Sequence, residues 1–252
     1  MIRIEQLHIG YEQQILASQL QDITLRPSRF IALLGTNGSG KSTLLRAITT
    51  GNHILQGNVL WDTEKLTKLS DQQRARSIAV VLTNKELNPL LTVLELLEIS
   101  RAPYTTFTGK LVAADKEIIE QTMELFECKA LSSKRLQTLS DGQLQRALVA
   151  RALVQDTPYL FMDEPSSHLD INHKASLLAT LKEYCHEKNK CIVYASHELE
   201  LAMQLSDEVL SIHKGIIAHS STAAFIENDR LGALFPSEHV SFKDGKAQYH
   251  FK

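Results

Sequence analysis

The run Gly35-Thr36-Asn37-Gly38-Ser39-Gly40-Lys41-Ser42, followed by Thr43, constrains this chain more than any other segment. It matches the pattern G-x-x-x-x-G-K-[ST]. Before it stands Phe30-Ile31-Ala32-Leu33-Leu34, apolar throughout, as a strand covered on both faces would be. After it, residues 42–49 carry Leu44, Leu45 and Ile48 at helical spacing. Strand, glycine-rich turn and helix in that order make a phosphate cradle. Phosphate oxygens are bound by converging backbone N–H groups, so side chains must not crowd them, and Gly38 and Gly40 permit that approach. Lys41 is expected to place a cation on the β- and γ-phosphates, and the Ser42 hydroxyl is a hard oxygen ligand for Mg²⁺. The bland alternative, a glycine-rich turn with a surface lysine, leaves the flanking strand and helix unused.

Strand patterns begin at the N-terminus. Ile2, Ile4, Leu7 and Ile9 form the apolar positions of a first strand, with imperfect alternation. Ile23-Thr24-Leu25 reads as a short second strand, stopped by Pro27. Residues 59–61 and 78–82 are further strands. From about 92 to about 154 the texture is helical. Strands return at 159–162, 191–195 and 209–212, separated by helices at about 174–187 and 198–205. The alternation predicts an α/β core with a mostly parallel sheet, interrupted by a helical insertion. Near the end, Val240-Ser241-Phe242 and Ala247-Gln248-Tyr249 flank Asp244-Gly245, a hairpin signal. That hairpin is expected to cover a sheet edge or to contact a partner.

A second set of polar residues follows the returning strands. Tyr159-Leu160-Phe161-Met162-Asp163-Glu164 is an apolar strand ending in two acids, at the end where such sheets bind ligands. Asp163 is placed to hold Mg²⁺, directly or through water, and Glu164 to orient and polarise an attacking water. Pro165 keeps open the alternative of a helix N-cap with an acidic first turn. Another apolar strand ends at Ser196-His197, where His197 is placed to contact a γ-phosphate.

Composition narrows the remaining classes. Hydrophobic residues make up 43% and charged residues 22%, which suits a globular chain. The 27 Lys and Arg nearly cancel the 29 Asp and Glu, so a net charge of -2 gives no general attraction to nucleic acid or an anionic membrane. No apolar run is long enough to span a bilayer, and the charged N-terminus is no signal peptide. Cys128, Cys185 and Cys191 are odd in number and fit no zinc spacing, which suits a reducing compartment.

Together these segments resemble an ATP-binding-cassette ATPase. Leu139-Ser140-Asp141-Gly142-Gln143 looks like that family's signature motif, with Asp where Gly is commoner. The order phosphate loop, signature, acidic strand, histidine is the family's order. The resemblance covers about residues 1–220. It implies a P-loop NTPase core with a mostly parallel sheet, an antiparallel β subdomain and an inserted α-helical subdomain. The core is expected over 1–90 and 155–227, the helical subdomain over about 91–154, and a C-terminal extension over 228–252. ATP and Mg²⁺ are the implied ligands. Two copies would meet head to tail, so that Ser140, Asp141, Gly142 and Gln143 of one close over the phosphates held by the other. Ser167-His168-Leu169-Asp170 resembles the segment linking the two sites. Tyr11 lies where the family places a ring that stacks on adenine. One position departs from the pattern: Thr83 stands where a glutamine usually contacts the metal and the water, which leaves Asn84 or a bridging water as the alternatives for that contact.

Ile99-Ser100-Arg101-Ala102-Pro103-Tyr104 looks like a segment of the ATPases that import ferric siderophores, haem and cobalamin, with Ser100 for the usual Gly. A helix end broken by Pro103 is the plainer reading. The resemblance implies an importer subunit on the cytoplasmic face of the membrane. Its partners would be a second copy of itself, membrane permease subunits and, indirectly, a substrate-binding protein, with no nucleic acid. An exporter ATPase shares all the nucleotide chemistry and is the alternative. A non-transport cassette stands further off, because the chain has one cassette and no long coiled coil.

Overall fold

The computed structural model describes residues 1–82, 87–105 and 109–250. The chain opens with strands β1 (Ile2–Tyr11), β2 (Gln14–Gln19), β3 (Ile23–Leu25) and β4 (Arg29–Gly35), and β4 leads into helix α1 (Lys41–Thr50). β5 (Ile54–Trp61), the short β6 (Glu64–Lys65), α2 (Asp71–Ser77) and β7 (Ile78–Val81) follow. Helices α3 (Val93–Ile99), α4 (Ala113–Leu125) and α5 (Asp141–Val154) come next. Then β8 (Tyr159–Asp163), α6 (Ile171–Glu187), β9 (Cys191–Ala195), α7 (Leu199–Leu205), β10 (Glu208–His213) and β11 (Ile216–Ser221) restore the alternation. Helices α8 (Thr222–Glu227) and α9 (Arg230–Leu234) precede the hairpin strands β12 (Val240–Lys243) and β13 (Lys246–Tyr249).

Among the described residues, eleven strands join one sheet in the order β6-β5-β1-β2-β11-β10-β4-β9-β8-β7, with β3 beside β1. The half from β10 to β7 is parallel throughout. The half from β6 to β2, with β3, is antiparallel. This is the expected α/β architecture.

β4 shows why its sequence is continuously apolar. Ile31 and Leu33 point to one face and pack in a core with Leu44, Leu45 and Ile48 of α1. Phe30, Ala32 and Leu34 point to the other and join Met162, Leu178, Leu181 and Leu153. Both faces are buried, at about 1.5–3 kcal/mol per large aliphatic side chain. That packing fixes where β4 ends, and so where the glycine-rich loop begins.

The imperfect alternation of β1 has a structural cause. Gln6 takes a left-handed backbone (φ 48°), and the pairing with β5 slips between Glu5 and His8. The irregularity switches parity, so Leu7 and Ile9 return to the buried side with Ile2 and Ile4. Ile23–Leu25 is the third strand and not the second. The strand before it, β2, pairs with β1 across Glu12-Gln13, both at positive φ. Such a turn usually announces itself with Asn-Gly or Asp-Gly, so Glu-Gln gave no signal.

The helical stretch is held together by a buried cation. Arg101 is 5% exposed. Its guanidinium meets Asp115 at 2.8 Å, donates to the Val154 carbonyl at 2.8 Å and lies 4.1 Å from the centre of the Tyr104 ring. α3 does end before Pro103, which sits in a 3₁₀ turn over Ala102–Tyr104. The segment thus packs inward and holds the end of α3 against α4 and α5.

The C-terminal hairpin forms as expected, with Asp244 and Gly245 at φ 51° and 76° in its turn. It makes a separate two-stranded sheet and does not cover an edge of the large one. Its support is α7, where the Ala247 N–H donates to Glu200 Oε1 at 2.8 Å. The three cysteines are free and buried; burial pushes the Cys128 thiol up to about 11 and Cys185 up to about 12, which makes both poor ligands and nucleophiles. No helix among the described residues is long and apolar enough to cross a membrane. Thr83 and Asn84 lie outside the described residues.

Candidate functional site

The site starts from the register of three neighbouring parallel strands. Leu33 of β4 pairs with Ala195 of β9, and Ala195 pairs with Asp163 of β8. β8 and β9 therefore stop at one level, β4 runs two residues further to Gly35, and their following loops share one edge of the sheet. Those loops carry Gly35 to Gly40, Glu164, and Ser196-His197.

In the first loop, the Ser39 N–H donates to the Thr36 carbonyl at 3.2 Å. Gly40 then takes φ 104°, which residues with a side chain rarely adopt, and starts α1 without a side-chain cap. The first N–H groups of α1 are thus left without intrahelical or side-chain acceptors, the arrangement that binds anions. The loop interior also holds the buried Ser39 hydroxyl, which has no hydrogen-bond partner among the described residues. Ser42, on the first turn, is exposed. These features fit a polyphosphate.

Lys41 is 7% exposed, and its ammonium donates to the Gly35 carbonyl at 2.8 Å and to the Thr36 carbonyl at 3.3 Å. Burial pulls its pKa down, while the carboxylates of Glu164 and Asp163 act in the opposite direction. The cation of the loop therefore feels both Asp163, the last residue of β8, and Glu164, which follows it.

Asp163 is buried at the end of its strand. Glu164 follows with φ 53°, an uncommon backbone for a glutamate, and its N–H donates to the Ala195 carbonyl at 3.2 Å. This placement removes Glu164 from any helix start: α6 begins only at Ile171, capped by Asp170. The Glu164 carboxylate meets His197 Nε2 at 2.8 Å. Two residues predicted separately are thus in direct contact. The sequence reading assigned no role to Gln145, yet its side-chain amide donates to the Pro165 carbonyl at 2.8 Å and so ties α5 to the loop after Glu164. A cavity of about 330 Å³ lies beside this tie, lined by Leu82, Gln137, Gln145, Asp163 and His168 among others.

The signature residues stand apart from the loop. Ser140 caps α5, and Ser140, Asp141, Gly142 and Gln143 line a cleft with His168, Leu169, Asp170 and His173. Among the described residues no hydrogen bond joins this set to residues 35–43. Tyr11 does stand beside the loop: its hydroxyl lies 3.0 Å from Thr43 Oγ1, and the residue is 48% exposed. The remaining candidate, Thr83, lies outside the described residues.

Residues 20–167 match the ABC transporter family. The chain is similar to an uncharacterized ABC transporter ATP-binding protein of Methanocaldococcus jannaschii, at 30% identity over 100% of this chain and 87% of the relative. It is also similar to the ferric enterobactin transport ATP-binding protein FepC of Escherichia coli, at 32% identity over 93% of this chain and 86% of that protein. Among solved structures, its fold is like that of a dimeric ATP-binding cassette in a post-hydrolysis state bound to ADP and Pi. That likeness has a TM-score of 0.77 at 23% identity, covering 88% of this chain and 99% of the other.

Proposed function

The chain belongs to the ABC transporter family and is an ATPase, and on that premise we propose that it powers a membrane importer of an iron chelate, haem or cobalamin. The observation that carries the nucleotide chemistry is the open start of α1, with Lys41 in the field of Glu164, whose carboxylate is bonded to His197. Residues 35–43 hold the phosphates through backbone N–H groups and Lys41. Tyr11 supports the base. Ser42 and Asp163 would hold Mg²⁺, which supplies neutralising charge at the phosphate oxygens. Glu164 orients and polarises the attacking water, and His197, hydrogen-bonded to it, keeps the carboxylate in place beside the terminal phosphate.

Ser140 and Gly142 do not bond to the loop of their own chain, which supports an arrangement in which they act on a second copy. Two sites shared between two copies would favour a closed pair only when filled, and opening after hydrolysis would move permease subunits attached to the helical insertion. The importer direction and the cargo class rest on relatives. FepC is described as a ferric enterobactin transport protein and FhuC of Bacillus subtilis, 31% identical over 87% of this chain, as an iron(3+)-hydroxamate import protein. The chain would then work on the cytoplasmic face of the membrane, served indirectly by a substrate-binding protein.

The test is purification of the Glu164→Gln protein with ATP from its native membranes. Removing the carboxylate should slow turnover by about 100- to 10,000-fold while ATP binding persists, so the closed assembly accumulates. Co-purification of a many-helix permease supports the transporter reading, and its cargo, measured by uptake, decides the class. Recovery of ribosomes or nucleic acid without a membrane protein overturns it.

A further inference from the structure

We propose that Gln145 is a positioning residue for hydrolysis: its side-chain amide holds the Glu164–Pro165 peptide and so sets where the Glu164 carboxylate stands. The inference rests on the reading above, in which Glu164 polarises the attacking water. Three observations carry it.

First, one amide spans two successive carbonyls. Gln145 Nε2 donates to the Pro165 carbonyl at 2.8 Å and to the Glu164 carbonyl at 3.4 Å. Pro165 is buried, and its carbonyl accepts no other hydrogen bond among the described residues. Second, Glu164 belongs to neither a strand nor a helix, and its φ of 53° is a backbone that persists only where neighbours hold it. On the N-terminal side its N–H reaches the Ala195 carbonyl at 3.2 Å. On the C-terminal side its carbonyl accepts from the Ser167 N–H at 3.1 Å within the same loop, and Gln145 supplies the hold from outside that loop. The cavity of about 330 Å³ lined by Gln145, Asp163 and Ser167 adjoins this bridge, so packing leaves the segment room to shift once the amide is lost. Third, the loop meets α5 at a second point. A Cβ added to Gly142 would lie 3.0 Å from Leu169 Cδ2, so residues 164–169 ride on the first two turns of α5.

The amide makes no hydrogen bond to residues 35–43 among the described residues, and it brings no charge to the site. It therefore acts through Glu164, on the rate of hydrolysis and not on the grip on ATP. A misplacement of about 1 Å at a reacting group can cost about a hundredfold in rate, which is the scale on which one lost bridge is felt.

The experiment uses the full chain and Gln145→Met, which keeps the length and bulk of the side chain and removes both N–H donors. Phosphate release at saturating Mg-ATP should fall about 10- to 100-fold. ATP affinity, titrated in a Glu164→Gln background that stops turnover, should stay within about twofold. The decisive comparison is the double substitution. With the carboxylate gone there is nothing left for Gln145 to place, so Gln145→Met should change the residual single-turnover rate of Glu164→Gln by less than about twofold. A general loosening of the fold would instead lower the rate in both backgrounds. Unchanged phosphate release in Gln145→Met, the same fold-loss with and without the Glu164 carboxylate, or a loss of ATP affinity as large as the loss of rate would each overturn the proposal. Glu164→Gln releasing phosphate at the parent rate would instead overturn the reading of Glu164 itself.

Discussion

Helix α1 begins at Gly40, which has no side chain to cap it, whereas α5 begins at Ser140, whose hydroxyl accepts from the Gln143 N–H at 3.3 Å. Gln143 returns the bond, its side-chain oxygen accepting from the Ser140 N–H at 3.2 Å. Both are starts of helices that the proposed mechanism brings to phosphate, and they are prepared differently. The α1 start presents bare backbone N–H groups and a buried lysine, so this chain alone supplies a complete anion cradle. At α5 two N–H groups are already occupied. What remains is the hydroxyl proton of Ser140, because a serine oxygen can accept one bond and still donate another. The cap holds that hydroxyl in a set direction. On the proposed mechanism, one helix start binds by itself, and the other is an aimed donor that needs a ligand held elsewhere.

The largest effect should come from the α1 side. Lys41→Ala removes the loop's cation while leaving the backbone cradle, and phosphate release should fall by at least about a hundredfold, with ATP binding much weakened in a titration. If ATP binding survived unchanged, the bare N–H groups would be sufficient and the lysine would matter only to turnover. A smaller loss is expected from Gly40→Ala. It forces a residue with a Cβ into φ 104° and sets that atom 2.8 Å from Leu16 Cδ2, a side-chain end that can shift. The backbone strain costs about 1–3 kcal/mol, visible as a lower midpoint in thermal unfolding, with a parallel loss of ATP affinity. Unchanged affinity would show that the left-handed turn is not what opens the cradle.

Legibility in the sequence follows the same division. The phosphate loop and the end of β8 were readable because each consists of an apolar run, buried on both faces, that stops at polar residues of fixed type. Contact between Glu164 and His197 followed once strands were known to be parallel neighbours. The residues that were missed have no such frame. β2 was hidden because Glu12-Gln13 makes its turn without glycine, and Ile15 and Leu16 are not fully buried. Gln145 looks like any helix glutamine until its amide is seen on the Pro165 carbonyl. Arg101 was noticed by resemblance, but its burial against Asp115 required the packing of α3 on α4.

Ser140→Ala gives the smallest effect on one chain and the sharpest test of the comparison. Losing the cap should cost about 1 kcal/mol of stability, local to the start of α5. ATP binding to the isolated chain should not change, since Ser140 makes no bond to residues 35–43. Turnover should fall, because the aimed donor is gone. Mixing decides where that donor acts. A Ser140→Ala copy retains Lys41, and a Lys41→Ala copy retains Ser140. If the signature serves the partner's loop, a mixed pair contains one site with both groups intact, and phosphate release from the mixture exceeds the sum of the two proteins measured alone. If Ser140 serves its own loop, every site in the mixture lacks one group, and the mixture releases no more than that sum. The first outcome places the two helix starts on opposite sides of one shared nucleotide; the second would require α5 to swing onto its own phosphate loop.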